Sequence, residues 1–246
     1  MKPIIQVKNL TKRFGNFTAV DKISFQVFPG EIVGFLGPNG AGKTTTIQML
    51  LDLVTPTSGT IRLFGKDLKK HREEVLNRVN FSSAYVAMPY NLKVGENLAT
   101  FGRLYGVPNL KQKIRDLAEF FNIEDMLSRM TGSLSSGQAT RMNLAKALIN
   151  DPELLLLDEP TASLDPDVAD KTRKLLLQIQ KERGVTILYT SHNMSEIEEI
   201  CNRVIFINYG KITDTGTTRE LVIKYGRKDM NDVFLTIVRG NGENNQ

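Results

Sequence analysis

The segment at residues 37–44 limits the fold of this chain more than any other, because its sequence GPNGAGKT fits the G-x-x-x-x-G-K-[ST] pattern of a phosphate-binding loop. An apolar run of strand length precedes it at 31–36, and a helical segment follows it at 45–51. Glycines let backbone N–H groups close around phosphate oxygens, and the start of the following helix adds a positive dipole end. We therefore predict a phosphate site in which the Lys43 ammonium contacts the terminal phosphates and the Thr44 hydroxyl ligates Mg²⁺.

Composition indicates an ordinary globular protein. The chain has 246 residues, of which 41% are hydrophobic and 24% charged, enough for one large domain or a core with a smaller lobe. No run approaches the roughly 18 consecutive apolar residues of a membrane-spanning helix, and we expect no secretory signal. The single cysteine, Cys201, fits a reducing cytosol and is expected to be a small buried residue. The net charge of +5 is expected on a solvated surface, since no basic block interleaved with aromatic residues indicates nucleic-acid binding.

Hydropathy patterns predict an α/β core interrupted by a helical lobe. Strands are expected at residues 4–10, 23–28, 31–36, 60–64, 154–157 and 185–189, with a hairpin at 204–212. Alternation in the first two suggests antiparallel pairing, whereas the fully apolar run at 154–157 is typical of a buried parallel strand. From about residue 85 to 150 the spacing is helical, so we predict a helical subdomain between core segments 4–84 and 151–238. The polar end at 239–246 is expected to be disordered.

Polar residues stand directly after two of the predicted strands. Asp158 and Glu159 follow the run at 154–157, and His192 follows the strand at 185–189. Ligands bind at the carboxyl edge of a parallel sheet, and the phosphate loop follows a strand at the same edge. Adjacent residues point in different directions, so we predict Asp158 as a metal ligand and Glu159 as a general base or water-orienting residue. The ring of His192 can either donate a hydrogen bond to a phosphate or orient Glu159.

A second anion-binding element begins at Ser135, where the sequence LSSGQ opens a predicted helix. Small polar residues at a helix N-terminus can bind phosphate, and Ser135 can equally serve as a simple N-cap. The chain then has two phosphate-binding helix ends but only one lysine and one set of metal-binding carboxylates. We therefore infer that the second end can serve a nucleotide held by another chain.

In this order, the motifs resemble those of the nucleotide-binding subunit of an ABC transporter, over nearly the whole chain from residue 4 to 238. The corresponding motifs are Walker A at 37–45, the LSGGQ signature at 134–138, Walker B with its glutamate at 154–159, the D-loop at 163–165 and the switch histidine at His192. The resemblance implies an α/β P-loop NTPase fold with a RecA-like, mainly parallel sheet, an N-terminal antiparallel β subdomain and an inserted α-helical subdomain. It also implies ATP and Mg²⁺ as cofactors.

The resemblance assigns roles to individual residues. It implies Glu159 and His192 as catalytic residues and Thr44 and Asp158 as metal ligands. The residues implied to bind ATP are Phe14, Gly37, Pro38, Asn39, Gly40, Ala41, Gly42, Lys43, Thr44, Thr45, Ser135, Ser136, Gly137, Gln138 and Asp165. Phe14 is the implied platform for the adenine ring, with Phe17 as its competitor.

The same resemblance implies partners. ATP is expected to be sandwiched in a head-to-tail dimer, with a homodimer favoured, and hydrolysis to drive a separate integral membrane permease, with the chain peripheral on the cytoplasmic face. Export is favoured over import, because residues 81–89 are similar to ABC-2-type, exporter-like subunits. The alternative is a non-transport ATPase of the same superfamily that acts on nucleic acid or the ribosome. It is disfavoured because the interval 45–134 is too short for a chromosome-type coiled coil, and translation-type chains carry two ATPase units.

Three positions depart from the family pattern. Phe14 stands where tyrosine is usual and has no hydroxyl to donate. Ser136 replaces the commoner glycine of the signature, and a mild effect is expected because Gly137 remains. The family carries a glutamine after a strand that corresponds to residues near 79–81, and this glutamine aligns with Ala84. Alanine cannot coordinate metal or orient water, so Ser83 or a water molecule is expected to take that role.

Overall fold

A computed structural model describes residues 1–83, 88–162 and 164–240, and within these ranges the chain forms ten strands and nine α-helices. The strands are β1 (Ile5–Phe14), β2 (Phe17–Val27), β3 (Ile32–Leu36), β4 (Ser58–Leu63), β5 (Lys66–Asp67), β6 (Val79–Ser83), β7 (Leu154–Asp158), β8 (Thr186–Thr190), β9 (Arg203–Asn208) and β10 (Lys211–Gly216). The helices are α1 (Lys43–Leu50), α2 (Arg72–Leu76), α3 (Val94–Leu104), α4 (Leu110–Phe121), α5 (Ser136–Ala147), α6 (Pro166–Arg183), α7 (Met194–Ile200), α8 (Thr218–Tyr225) and α9 (Met230–Gly240).

The central sheet is mainly parallel, as predicted. Its strand order is β10-β9-β3-β8-β7-β6, in which β9, β3, β8, β7 and β6 run parallel and β10 pairs antiparallel with β9 at one edge. The second sheet, β2-β1-β4-β5, is antiparallel throughout and confirms the predicted N-terminal β subdomain. Helices α3, α4 and α5 lie within the segment that the sequence predicted to be helical.

The central strands are continuous apolar runs because both of their faces are covered. In β7, Leu155 and Leu157 belong to a core shared with the helical segment, whereas Leu154 and Leu156 belong to a core beneath the antiparallel sheet. Alternate side chains of a strand point to opposite faces, so one four-leucine run serves both cores. Cys201 is buried in the helical-side core, as expected. This two-sided burial fixes the carboxyl edge of the sheet, where the predicted site residues lie.

The first hairpin is longer than predicted. Strands β1 and β2 pair as far as Phe14 and Phe17, so residues 11–17, expected to lie between two strands, belong to the hairpin itself. Gly15 adopts φ +56° in the two-residue turn with Asn16, a conformation that glycine tolerates without steric cost. The predicted strand boundaries were wrong here because a short turn, and not a long loop, reverses the chain.

Helices α8 and α9 follow the last strand and are absent from the sequence-based prediction. In α9, Met230, Val233 and Ile237 are buried, at a spacing that defines one face of a helix. Helix α9 ends at Gly240, and the remainder of the predicted disordered end, from residue 241, lies outside the described residues. None of the helices in the described ranges has both the length and the apolar content that crossing a bilayer requires.

Candidate active site

Three adjacent parallel strands end at one edge of the central sheet, and their ends form a single cleft. Strand β3 leads into the phosphate loop, β7 ends at Asp158, and β8 ends at Thr190, which pairs in register with Asp158. The cleft has a volume of about 910 Å³. Its lining includes Phe17, Pro38, Asn39, Gly40, Gly42, Lys43, Thr44, Thr45, Ser83, Asp158, Glu159, His192 and Phe234. The structure therefore brings the predicted metal and catalytic residues together with the predicted phosphate loop, of which only Gly37 and Ala41 lie outside the lining.

Close backbone contacts leave room only for glycine at two positions of the phosphate loop. A Cβ on Gly37 would lie 2.1 Å from the carbonyl oxygen of Ile207, and one on Gly42 would lie 2.5 Å from that of Ala19. Gly42 also adopts φ +106° as the N-cap of α1. These contacts fix the loop against β9 and β2. The first N–H groups of α1, which have no partner within the helix, are thereby held at the cleft.

Lys43 is a buried cation at the start of α1. Only 6% of its surface is exposed, and its ammonium donates to the carbonyl oxygens of Gly37 at 2.7 Å and Pro38 at 3.2 Å. Burial lowers the pKa of this amine, and the nearby charges of Glu159 and Asp158 partly raise it again. A phosphate supplies the opposite charge that favours the ionised form of a buried amine. This arrangement suits an anionic ligand.

A buried threonine holds Asp158 at the floor of the cleft. Oδ1 of Asp158 accepts a hydrogen bond from Thr190 Oγ1 at 2.6 Å, while its Oδ2 lies 3.4 Å from the Thr44 hydroxyl. One carboxylate and one hydroxyl fit Mg²⁺, which binds through one or two carboxylates together with substrate phosphates and water. Among the described residues, no group of three or more acidic, histidine or cysteine side chains is placed to hold a metal. The donor set therefore suits a cation that is shared with phosphates.

Glu159 adopts an uncommon backbone conformation beside His192. Its φ is +50°, and its N–H donates to the carbonyl oxygen of Thr190 at 3.1 Å and to the Thr190 hydroxyl at 3.0 Å. Such conformations persist only where the surroundings enforce them, and they cluster at functional sites. Oε2 of Glu159 lies 3.0 Å from His192 Nδ1, with 11% of the Glu159 side chain exposed and 63% of that of His192. Of the two predicted roles for the histidine, this contact favours the orientation of Glu159.

The second predicted phosphate end lies in a separate pocket of about 610 Å³. Ser135 caps α5, because its Oγ accepts from the Gln138 N–H at 3.4 Å and the Gln138 side chain accepts from the Ser135 N–H at 3.0 Å. None of the described residues lines both this pocket and the Lys43 cleft. The two helix ends of one chain therefore border two different sites.

The rest of this second pocket is formed where α5 meets α6. A Cβ on Gly137 would lie 2.8 Å from a methyl group of Val168, so the glycine allows the two helices to approach closely. Asp165, the N-cap residue of α6, lines the pocket together with Ser136. The structure thus brings Ser135, Ser136, Gly137 and Gln138 of the signature together with Asp165 of the D-loop.

Two aromatic side chains flank the turn of the first hairpin. Phe17 belongs to the lining of the cleft, whereas Phe14 lies outside it, with the Lys12 ammonium 4.8 Å from the centroid of its ring. The adenine platform predicted at Phe14 is therefore not part of the cleft lining, and its competitor Phe17 is.

Two predicted positions lie outside the described residues, namely Ala84 at the expected glutamine position and Ser163 of the D-loop. The neighbouring Ser83 is buried and lines the cleft at the end of β6. Sequence reasoning missed Thr190 and Phe234. Thr190 had a usable signal, because a hydroxyl residue that ends a strand beside an acidic strand end can bond to it. Phe234 had none, because it reaches the cleft from the C-terminal helix.

Comparison with known proteins gives the same family from sequence and from structure. A family model described as ABC transporter matches residues 20–162. The chain is 40% identical over 214 residues to the bacitracin transport ATP-binding protein BcrA of Bacillus licheniformis, which covers 87% of this chain and 70% of that protein. It is 38% identical over 227 residues to the Nod factor export ATP-binding protein I of Cupriavidus metallidurans, covering 90% and 74%. A solved subunit of the cbiONQ ABC transporter complex of Clostridium perfringens matches with a TM-score of 0.82 at 25% identity, over 92% of both chains. The chain therefore belongs to the ABC transporter family, as one of its ATP-binding, ATP-hydrolysing subunits.

Proposed function

We propose that this chain hydrolyses ATP in the Lys43 cleft as one half of a head-to-tail dimer, and that hydrolysis drives export through a separate membrane permease. The observation that carries the proposal is the position of Glu159. Its carboxylate lies 3.0 Å from His192 Nδ1, in the cleft that also contains Lys43 and Asp158. A carboxylate oriented beside a phosphate site can activate water for attack on phosphorus.

ATP binds with its phosphates at the N-terminus of α1 and its base toward the first hairpin. A cleft of about 910 Å³ has room for a nucleotide. The residues of 37–45 other than Pro38 supply backbone N–H donors, and Lys43 supplies the positive charge. Phe14 and Phe17 are directly paired across the hairpin turn, and paired residues project from the same face of a sheet. The hairpin end therefore offers an aromatic platform for the adenine ring.

Hydrolysis uses the carboxylates at the edge of the sheet. Thr44 and Asp158 are the residues that would hold Mg²⁺, which when bound neutralises charge on the phosphates. Glu159 takes a proton from the attacking water as the water oxygen bonds to the γ-phosphorus. The bond from phosphorus to the bridging oxygen breaks, and ADP leaves with the electron pair. His192 orients Glu159, and Thr190 fixes both Asp158 and the backbone of Glu159.

A second copy of the chain completes the site. The residues Ser135, Ser136, Gly137, Gln138 and Asp165 border a pocket away from the Lys43 loop of their own chain. A head-to-tail arrangement sets this α5 N-terminus against the γ-phosphate held by the other chain. Each copy carries both half-sites, so two identical chains related by a two-fold axis form two complete sites.

The transport role is proposed from the relatives. The bacitracin and Nod factor proteins are named for transport and export, and the cbiONQ subunit is part of a transporter complex. By analogy, this chain binds an integral membrane permease at the cytoplasmic face and powers export. The alternative is a non-transport ATPase that acts on nucleic acid or the ribosome. Purification of the tagged chain from solubilised membranes decides between them: a multi-span membrane protein should copurify, whereas ribosomes or DNA without one would favour the alternative.

Substitution Glu159→Gln tests the observation that carries the proposal. The variant keeps the shape of the side chain but loses the base, so hydrolysis should fall about a hundredfold or more while Mg-ATP still binds. ATP that is not hydrolysed should hold the dimer together, as measured by size-exclusion chromatography in Mg-ATP. The matched control is Glu153→Gln, at the residue that precedes the start of β7. This variant should hydrolyse ATP at the wild-type rate. Unchanged turnover of Glu159→Gln, or a persistent monomer, contradicts the proposal.

A further inference from the structure

A buried carboxylate lies close to Glu159 and His192, which together are called the catalytic pair below. Glu196, on α7, is 4% exposed and lies outside the lining of the Lys43 cleft. It borders a second cavity of about 400 Å³, which meets the cleft at Glu159 and His192. Burying an ionised carboxylate costs free energy unless hydrogen-bond donors surround it. The donors around Glu196 therefore indicate what this residue holds in place.

Three hydroxyl groups donate to one oxygen of Glu196. Oε2 accepts from Thr161 Oγ1 at 2.7 Å, from Tyr189 Oη at 3.1 Å and from Ser191 Oγ at 3.1 Å. The other oxygen, Oε1, lies 3.4 Å from a guanidinium nitrogen of Arg173. Burial, followed by the charge of Glu196, raises the pKa of Tyr189 well above its usual value, so this hydroxyl stays protonated and keeps donating.

Two of these donors come from the turns that carry the catalytic pair. Thr161 lies two residues after Glu159, in the turn that follows β7. Ser191 directly precedes His192, and its Oγ also accepts a hydrogen bond from the Asn193 N–H at 3.0 Å on the other side. The Glu196 carboxylate thus connects the turn of Glu159 to the turn of His192 through hydrogen bonds outside the cleft. The side chains of Glu159 and His192 contact each other inside the cleft.

Arg173 extends this connection toward the pocket at Ser135. It lies on α6, whose N-cap is Asp165 and whose Val168 packs against Gly137. Glu196 therefore contacts both catalytic turns and the helix that forms one wall of the pocket at Ser135. Glu196, Arg173 and α6 therefore form a chain of contacts between the Lys43 cleft and the pocket at Ser135.

We propose that Glu196 is a positioning residue for hydrolysis, which sets the Glu159 carboxylate against the His192 ring and links that pair to α6. The inference rests on the proposed function, because it assigns a supporting role in the same reaction. Glu196 acts from behind the cleft, so its substitution changes the geometry of the pair and leaves the binding of ATP intact. Small displacements of a catalytic group lower the rate far more than they lower affinity.

Substitution Glu196→Gln removes the negative charge with little change of shape. We expect kcat to fall about tenfold or more, because a buried charged acceptor is lost and the catalytic geometry shifts. The KM for ATP should change by less than about twofold. Glu199→Gln is the matched control, because Glu199 lies on the same helix and accepts a 2.6 Å hydrogen bond from the same Arg173. It should keep the wild-type kcat, and an unchanged kcat in Glu196→Gln overturns the proposal.

A second measurement separates positioning from a general loss of structure. Single-turnover hydrolysis is compared in His192→Ala and in His192→Ala/Glu196→Gln, below the unfolding midpoint of each variant. If Glu196 acts through the pair, its substitution slows the His192→Ala protein much less than it slows the wild type. Equal slowing in both backgrounds overturns the proposal in favour of a structural role. Thr161→Val, which deletes one donor to Glu196, provides the same test if Glu196→Gln does not fold.

The result is distinguishable from a failure of the proposed function. If Glu159→Gln hydrolyses ATP at the wild-type rate, the proposed function is wrong whatever Glu196 does. If Glu159→Gln is slow and Glu196→Gln is not, only the positioning role fails.

Discussion

The two helix ends that the sequence predicts to bind phosphate, at α1 and at α5, are built in different ways. At α1, the Lys43 ammonium shares one cleft with the carboxylates of Asp158 and Glu159. At α5, Ser135 is hydrogen-bonded within its own helix through Gln138. A helix end supplies only partial charge, so the charged groups around it decide what chemistry follows. We infer from this difference that the first end serves the proposed hydrolysis and the second the proposed recognition of a nucleotide held by another chain.

Both ends depend on glycine, for different reasons. Gly42 has φ +106° and backbone only 2.5 Å from where a Cβ would lie, and no residue with a side chain fits both conditions. At Gly137 the nearest atom is a Val168 methyl at 2.8 Å, which a small movement of that side chain can relieve. At the first end only glycine therefore fits, whereas at the second a movement of Val168 is all that a larger residue requires.

Lys43→Ala should disable the first end completely. The loss of the buried cation removes charge-assisted contacts to phosphate, so we expect ATP affinity to fall about tenfold to a hundredfold and hydrolysis to become undetectable. Titration with a fluorescent ATP analogue measures the affinity, and phosphate release measures the turnover. Lys111→Ala, at an exposed lysine of α4 outside the cleft lining, is the control and should match the wild type. An unchanged ATP affinity in Lys43→Ala would mean that Lys43 does not bind phosphate.

Substitutions at Ser135 separate capping from phosphate recognition at the second end. Ser135→Ala loses the cap and the hydroxyl offered to the partner's ATP, so stability should fall by about 1 kcal/mol and turnover about tenfold. Ser135→Asp keeps a capping oxygen but sets negative charge against the phosphate. We expect its unfolding midpoint to stay near that of the wild type while its turnover falls at least as far as that of Ser135→Ala.

Thr217 provides the matched control, because it caps α8 through the same capping box, formed with Glu220. Thr217→Ala should lose about 1 kcal/mol of stability and keep the wild-type turnover. If Ser135→Asp hydrolyses ATP normally, α5 is an ordinary capped helix, and the two ends do not share a nucleotide.

The sequence predicted the residues of the Lys43 cleft because they follow apolar runs. Lys43, Asp158 and His192 each come after a buried strand, and parallel strands that lie side by side end at one edge. The hydroxyl of Thr190 at a strand end was the available signal for its bond to Asp158, but the pairing of β8 with β7 that brings the two together was not predicted. The positive φ of Glu159 has no local signature either, because the contacts that enforce it come from another strand.

The network around Glu196 was hidden for the same reason. Its donors come from four places: Thr161 from the turn after β7, Tyr189 from β8, Ser191 from just after β8 and Arg173 from α6. Hydroxyl residues are common, and their spacing in the sequence does not show which of them face one buried carboxylate in the folded protein. Motif spacing therefore predicts the residues of the proposed ATP site better than the residues that hold them in place.

The smallest expected effect concerns the end of the Lys43 cleft proposed to hold the adenine base. There the sequence favoured the ring of Phe14, whereas the cleft lining contains Phe17. The double variant Phe14→Ala/Phe17→Ala should weaken ATP binding about tenfold, the order of one lost stacking contact, and leave kcat at saturating ATP unchanged. The single variant that reproduces the double identifies the platform, and Tyr209→Ala, at an exposed ring outside the cleft lining, is the control. Wild-type affinity in the double variant would mean that neither ring holds the base. The contrast between the two helix ends would then rest on phosphate and its charges alone.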